Sequence, residues 1–265
     1  MRSKGGRGRR LAVVFPGEPH DRVLSAPAGW LSDPLVADAS ACAGSDIRRA
    51  LSGRTVIGAA VVQPAAVALE LVAYGRLLGH GVTPTLVAGQ NVGEIAAWAA
   101  SGAIADHDAL RLAALRGAAV ELASLVHPRS PGPSLRSDGR RSSPGGWNAI
   151  AMAPAREVIS AAAAAAPRMM RHVPQVESVN GLVLSEDESP DLGAQLVEPP
   201  AWRPILDAFA RFEITDVAVL APSRVIRNML RDALGPKVAV HAAEEDADLA
   251  RIAASVSERT EAAAS

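Results

Sequence analysis

The chain has 265 residues, of which 49% are hydrophobic, 21% charged and only 3% aromatic. This excludes a disordered chain and suffices for one large domain whose core is filled by Ala, Val and Leu. Lys and Arg number 27 against 28 Asp and Glu, a net charge of −1, so a nucleic-acid surface, which needs a basic excess, is not expected.

Residues 1–10 form a basic tip. The apolar run behind it, Leu11–Phe15, is too short for a signal peptide and reads as a buried strand ended by Pro16-Gly17. Weak helical signals cover Pro34 to Ala43 and Asp46 to Leu51. Pro64 is expected to open a strong helix, with Ala65, Ala68, Leu69, Val72 and Leu77 on one face and Gly79 and Gly81 as stop signals. Apolar runs such as Val56 to Ala68 are broken by Gly, Gln and Pro, so no membrane span is expected. Thr85 to Ala88 reads as a strand and Ile95 to Ala100 as a helix. Asp106 is placed to cap a further helix over Ala109 to Leu125. Strands alternating with helices predict an α/β fold with a mainly parallel sheet.

Residues 127–146 are rich in Pro, Ser, Gly and Arg, with Leu135 as the one large apolar side chain. They read as a flexible loop. The pattern then predicts a strand over Trp147 to Met152, a helix over Ala155 to Ala166, and an extended, turn-rich stretch over Val173 to Leu184. A helix over Trp202 to Phe212, a strand over Asp216 to Leu220, a helix over Arg224 to Leu234 and a last strand over Lys237 to His241 follow. Residues 243–265 are an acidic, Ala-rich tail. Cys42 is the only cysteine, so no intramolecular disulfide is possible, which suits a cytoplasmic setting. No metal-ligand spacing and no dinucleotide fingerprint occur, and no metal or cofactor is expected.

The most informative stretch is Gly89-Gln90-Asn91-Val92-Gly93-Glu94, between a strand and a helix. Glycines two before and two after a central residue allow the sharp turn of a nucleophile elbow. The central side chain then stands over a helix N-terminus whose amides can hold an oxyanion. That chemistry calls for Ser, and here the residue is Asn91.

With these motifs the chain resembles the malonyl-CoA:acyl-carrier-protein transacylases and the acyltransferase domains of fatty-acid and polyketide synthases. Val14-Phe-Pro-Gly17, Gln63-Pro-Ala65, Gly89 to Glu94 and the Ala103 to Gly117 stretch carry the resemblance in the family's order. Weaker echoes lie at Val179-Asn180-Gly181, Pro200-Ala-Trp202 and Ala221-Pro-Ser-Arg224. The resemblance implies a parallel-sheet, hydrolase-like core with a small ferredoxin-like subdomain. It implies acyl transfer through an acyl-serine, aided by a His, with backbone amides on the oxyanion and an Arg on the acyl carboxylate.

Against that pattern, the nucleophile position holds Asn91, whose amide nitrogen is not nucleophilic. The adjacent His is Gln90. Val92 supplies one oxyanion amide position, and Glu18, in the other oxyanion loop, stands where Gln is usual. Arg116 stands in register with the family's carboxylate clamp, with Gln63 at the cleft; the alternative is an ion-pair residue whose partner is Glu18, closing the pocket. Only His172 lies where the base should be, in an unmatched context. Glu94 suits the helix dipole. Residues 11–126 and 173–242 are then two parts of the acyltransferase core, and 147–172 is the remnant of a subdomain that is reduced or deleted. The expected function is binding without acyl transfer, to an acyl carrier protein, an acyl-CoA or a synthase subunit. The alternative is an active [acyl-carrier-protein] S-malonyltransferase with a non-standard nucleophile, for which Ser178, Ser185 and Ser223 are the serines to examine.

Overall fold

Five consecutive apolar residues have no polar face, and such a strand is stable only when covered on both sides. In a computed structural model, which describes residues 9–17, 24–49, 51, 58–126, 149–198, 202–220 and 223–264, that is the place of β1 (Leu11–Phe15). It is the central strand of a five-stranded, all-parallel sheet with β2 (Leu86–Gly89), β3 (Gln175–Val176), β4 (Asp216–Leu220) and β5 (Ala239–Ala243), in the order β3-β2-β1-β4-β5. Val13 is in register with Val87 on one side and Ala218 on the other.

Alternation along β1 divides the interior. Leu11, Val13 and Phe15 join the core shared by α1 (Pro34–Ala43), α2 (Ala59–Gly79), α3 (Gly93–Ala100), α4 (Asp106–Val126), α5 (Ala149–Ala165) and α8 (Asp246–Ala264). Ala12 and Val14 join the smaller core under α6 (Trp202–Arg211) and α7 (Arg224–Leu234). The larger face is two helices deep, with α2 packed on the sheet side of α4 and α4 on α5. At about 25 cal/mol per Å2 of apolar surface removed from water, burial of this kind is the main favourable contribution to folding.

Several expected boundaries shift. The second helix starts at Ala59, so Pro64 is its sixth residue and not its first. Extended Gly58 precedes the start, and the Glu121 carboxylate on α4 accepts from the Ala60 amide at 3.0 Å. This outside acceptor fixes the start one turn earlier than the proline suggests. By length and apolarity α2 could cross a bilayer, but 78% of its most apolar window is buried inside the protein. Asp106 is the first residue of α4 and not a cap. Ala149 to Met152 is helical, not a strand, because the Ala-rich run continues upstream through Pro154 into α5. The last strand lies two residues later than expected, and Ile47 to Arg49 and Leu51 are in turns, with no helix among the described residues of 46–51. Glu18, the first eight residues of the basic tip and the loop at 127–146 lie outside the described residues.

Candidate functional site

The C-terminal ends of β1 and β2 lie side by side, and the site is built where the chain leaves them. Asn91 has a φ of 57°, the left-handed conformation that Asn adopts more readily than most side chains. Gly89 and Gly93 flank it for steric reasons. A Cβ at Gly89 would stand 2.3 Å from the Gly93 carbonyl, and one at Gly93 would stand 2.2 Å from the Phe15 carbonyl. The Gln90 amide donates to that same Phe15 carbonyl at 2.9 Å. Elbow and β1 loop are therefore locked to each other through backbone. The strained turn persists although the serine that usually occupies it does not.

Three residues singled out in the sequence meet beneath the elbow. Arg116 on α4 is 0% exposed. One terminal nitrogen donates to Gln63 Oε1 of α2 at 2.9 Å, and the other donates to Asn91 Oδ1. The guanidinium is thus held by two neutral carbonyl oxygens, one of them on the elbow itself. Gln90 is half-buried, and its side-chain oxygen is sealed from solvent with no hydrogen-bond partner. The Val92 amide, at the N-terminal end of α3, has no backbone acceptor among the described residues.

Two buried carboxyls brace the rim of this site. Glu70 of α2 accepts from the Gly17 amide at 2.6 Å, and its other oxygen is buried without a partner. Burial pushes its carboxyl up to about 8, against the Gly17 hydrogen bond that favours ionisation. Glu94 accepts from the Ser178 amide at 3.0 Å and from the Gln175 side chain at 3.0 Å. Burial likewise pushes Glu94 up to about 8. Its role is therefore larger than complementing the dipole of α3, because it ties the elbow helix to the segment after β3. Glu70 went unnoticed in the sequence. The available signal was a lone carboxylate amid the apolar residues of a long helix.

Other expected residues fall away from the elbow. His172 is exposed, and its amide donates to the Ser101 carbonyl at the far end of α3. The eight residues of that helix separate it from Asn91 by about 12 Å. Ser178 is fully buried, with no exposed surface on which to meet a thioester. Asn180 holds a turn, its Oδ1 accepting from the Leu182 amide at 2.8 Å. Trp98 is a core residue. Met169 and Met170 are exposed. Among the described residues no group of His, Cys, Asp or Glu could hold a metal ion. A cleft of about 560 Å3 opens elsewhere, between α1, α2 and α4, with Cys42, Arg111 and Leu115 in its lining and no elbow residue.

Comparison with known proteins agrees with this architecture. The family model described as acyl transferase domain matches residues 20–181. The malonyl CoA-acyl carrier protein transacylase of Mycolicibacterium smegmatis is 38% identical over 118 residues, 41% of this chain and 41% of that protein. The transacylase of Mycobacterium tuberculosis H37Rv is 38% identical over 138 residues, 48% of this chain and 45% of that one. The chain thus spans less than half the length of the curated transacylases it matches in sequence. Polyketide synthase GfsA of Streptomyces halstedii is 37% identical over 114 residues, 42% of this chain and 2% of that protein. In three dimensions the crystal structure of MCAT from Mycobacterium tuberculosis superposes with a TM-score of 0.78 at 23% identity, covering 92% of this chain and 100% of that one. That likeness establishes a shared fold.

Proposed function

The chain belongs to the acyl transferase domain family, and from that premise we propose that it is a member that binds without transferring. It holds an acyl-CoA or an acyl carrier protein at the elbow and forms no acyl-enzyme. The observation that carries this is Asn91 at the apex of an intact elbow, its φ of 57° retained and its Oδ1 spent on Arg116. Acyl transfer needs an oxygen or sulfur there to attack the thioester carbon and release the CoA thiol. A carboxamide offers a delocalised nitrogen instead. Residual binding can outlast the loss of a nucleophile. We also read the stretch between α4 and β3, where α5 is the helix among the described residues, as a reduced form of the subdomain that should carry the base. His172, on the far side of α3, supports that reading.

The alternative, an active malonyltransferase with a substitute serine, would need a side chain that reaches the elbow. Ser178 is the candidate nearest in topology, because it follows the strand paired with β2, but it is walled in.

Intact-protein mass after incubation with malonyl-CoA separates the readings. The parent gains no acyl mass. Asn91→Ser also gains none if the base is gone, and gains one malonyl if the nucleophile alone was lost. A malonyl adduct on the parent would overturn the proposal.

A further inference from the structure

The Arg116 environment says more than that the site is idle. A guanidinium presents its terminal N–H groups as a fork suited to a carboxylate. In this chain Gln63 Oε1 and Asn91 Oδ1 already stand on that fork, one against each terminal nitrogen, and Arg116 has no exposed surface. The Asn91 backbone is fixed in the left-handed region between two glycines that touch neighbouring backbone. Gln63 is fully buried on α2.

We infer that Asn91 is a built-in ligand of Arg116 and the specificity-determining residue of the elbow, refusing acyl groups that end in a carboxylate and leaving the site to uncharged acyl chains. This deepens the reading above and rests on it for the elbow being a binding site. A carboxylate entering here sheds its water and must evict the Asn91 carbonyl, which leaves a polar group without its partner. A methyl-terminated chain does neither, so the acyl end decides admission.

The test is calorimetric titration of the full chain and of Asn91→Gly and Asn91→Ser with sodium malonate, acetyl-CoA and malonyl-CoA. Glycine suits the positive φ, and serine restores the residue usual at an elbow, so the test does not depend on one variant folding. The parent is expected to bind acetyl-CoA at least tenfold more tightly than malonyl-CoA and to show no heat with malonate. Both variants are expected to bind malonyl-CoA at least tenfold more tightly than the parent, and to bind malonate. Adding Arg116→Gln to Asn91→Gly is expected to remove the malonate gain. Malonate binding equally to parent and variants overturns the inference, as does a failure of both variants to gain it. A parent that binds no acetyl-CoA counts against the proposed function alone, because the malonate titration still judges the contact between Asn91 and Arg116.

Discussion

The two ends of the sheet treat buried charge in opposite ways. At the C-terminal end, Glu70 and Glu94 face backbone amides and an amide side chain, and burial carries both up to about 8. At the N-terminal end, Asp216 is also fully buried, at the start of β4. Burial pushes it up as well, but His241 at 3.0 Å, Thr215 at 2.8 Å and the Arg9 guanidinium more than reverse this and hold it below the usual carboxylate range. Depth alone therefore does not set ionisation; the partner does. The end that carries the elbow keeps Glu70 and Glu94 close to neutral, while the opposite end is stapled by the ion pair of Asp216 with Arg9.

The harshest way to break this contrast is to remove the elbow end. Gly93→Ala places a methyl on the Phe15 carbonyl and the Gly17 amide, both backbone atoms that cannot swing aside. It is expected to cost more than about 4 kcal/mol, read as loss of a cooperative melt. Glu70→Gln tests the neutral carboxyl directly. A carboxyl raised from 4.5 to about 8 contributes fully below pH 4.5, and its contribution falls as pH climbs to about 8, on the order of 5 kcal/mol in all. Urea melts are expected to show the variant gaining on the parent between those limits, and a constant difference would contradict the assignment.

Asp216→Asn probes the other end with the opposite sign. Its depressed carboxyl contributes stability above the ordinary Asp range and loses it as pH falls through the folded-state value. The variant is expected to cost about 3–5 kcal/mol at pH 7, by stranding the buried Arg9 guanidinium, and much less in acid. Asp33→Ala, which removes the cap on the Leu35 amide of α1, belongs to neither end. It is expected to cost about 1 kcal/mol in thermal melts and calibrates the other three.

The strands were legible because Leu11–Phe15 and Asp216–Leu220 are apolar or nearly so throughout, a pattern that only a doubly covered sheet explains. The start of α2 was not, because the acceptor that fixes it, Glu121, is 61 residues away from Ala60. The elbow was legible from glycine spacing, and Arg116 and Gln63 from the motifs around them. For Arg116 the sequence offers Glu18 as a partner, which lies outside the described residues; the described acceptors are Gln63 and Asn91. No local pattern announces a contact across 25 or 53 residues. Glu70 has no local signal because a carboxylate in a helix usually marks a solvated face, whereas here it faces the Gly17 amide, 53 residues away, in the loop after β1.

Gly117 sits beside Arg116, and a Cβ there would stand 2.2 Å from the Ala59 carbonyl. With Glu121 fastened to the Ala60 amide, α2 and α4 touch at the level of main chain, like two plates riveted along one seam. Neither helix can slide along the other, so substitutions at positions 63, 91 and 116 can change what the buried guanidinium bonds to while the frame stays where it is.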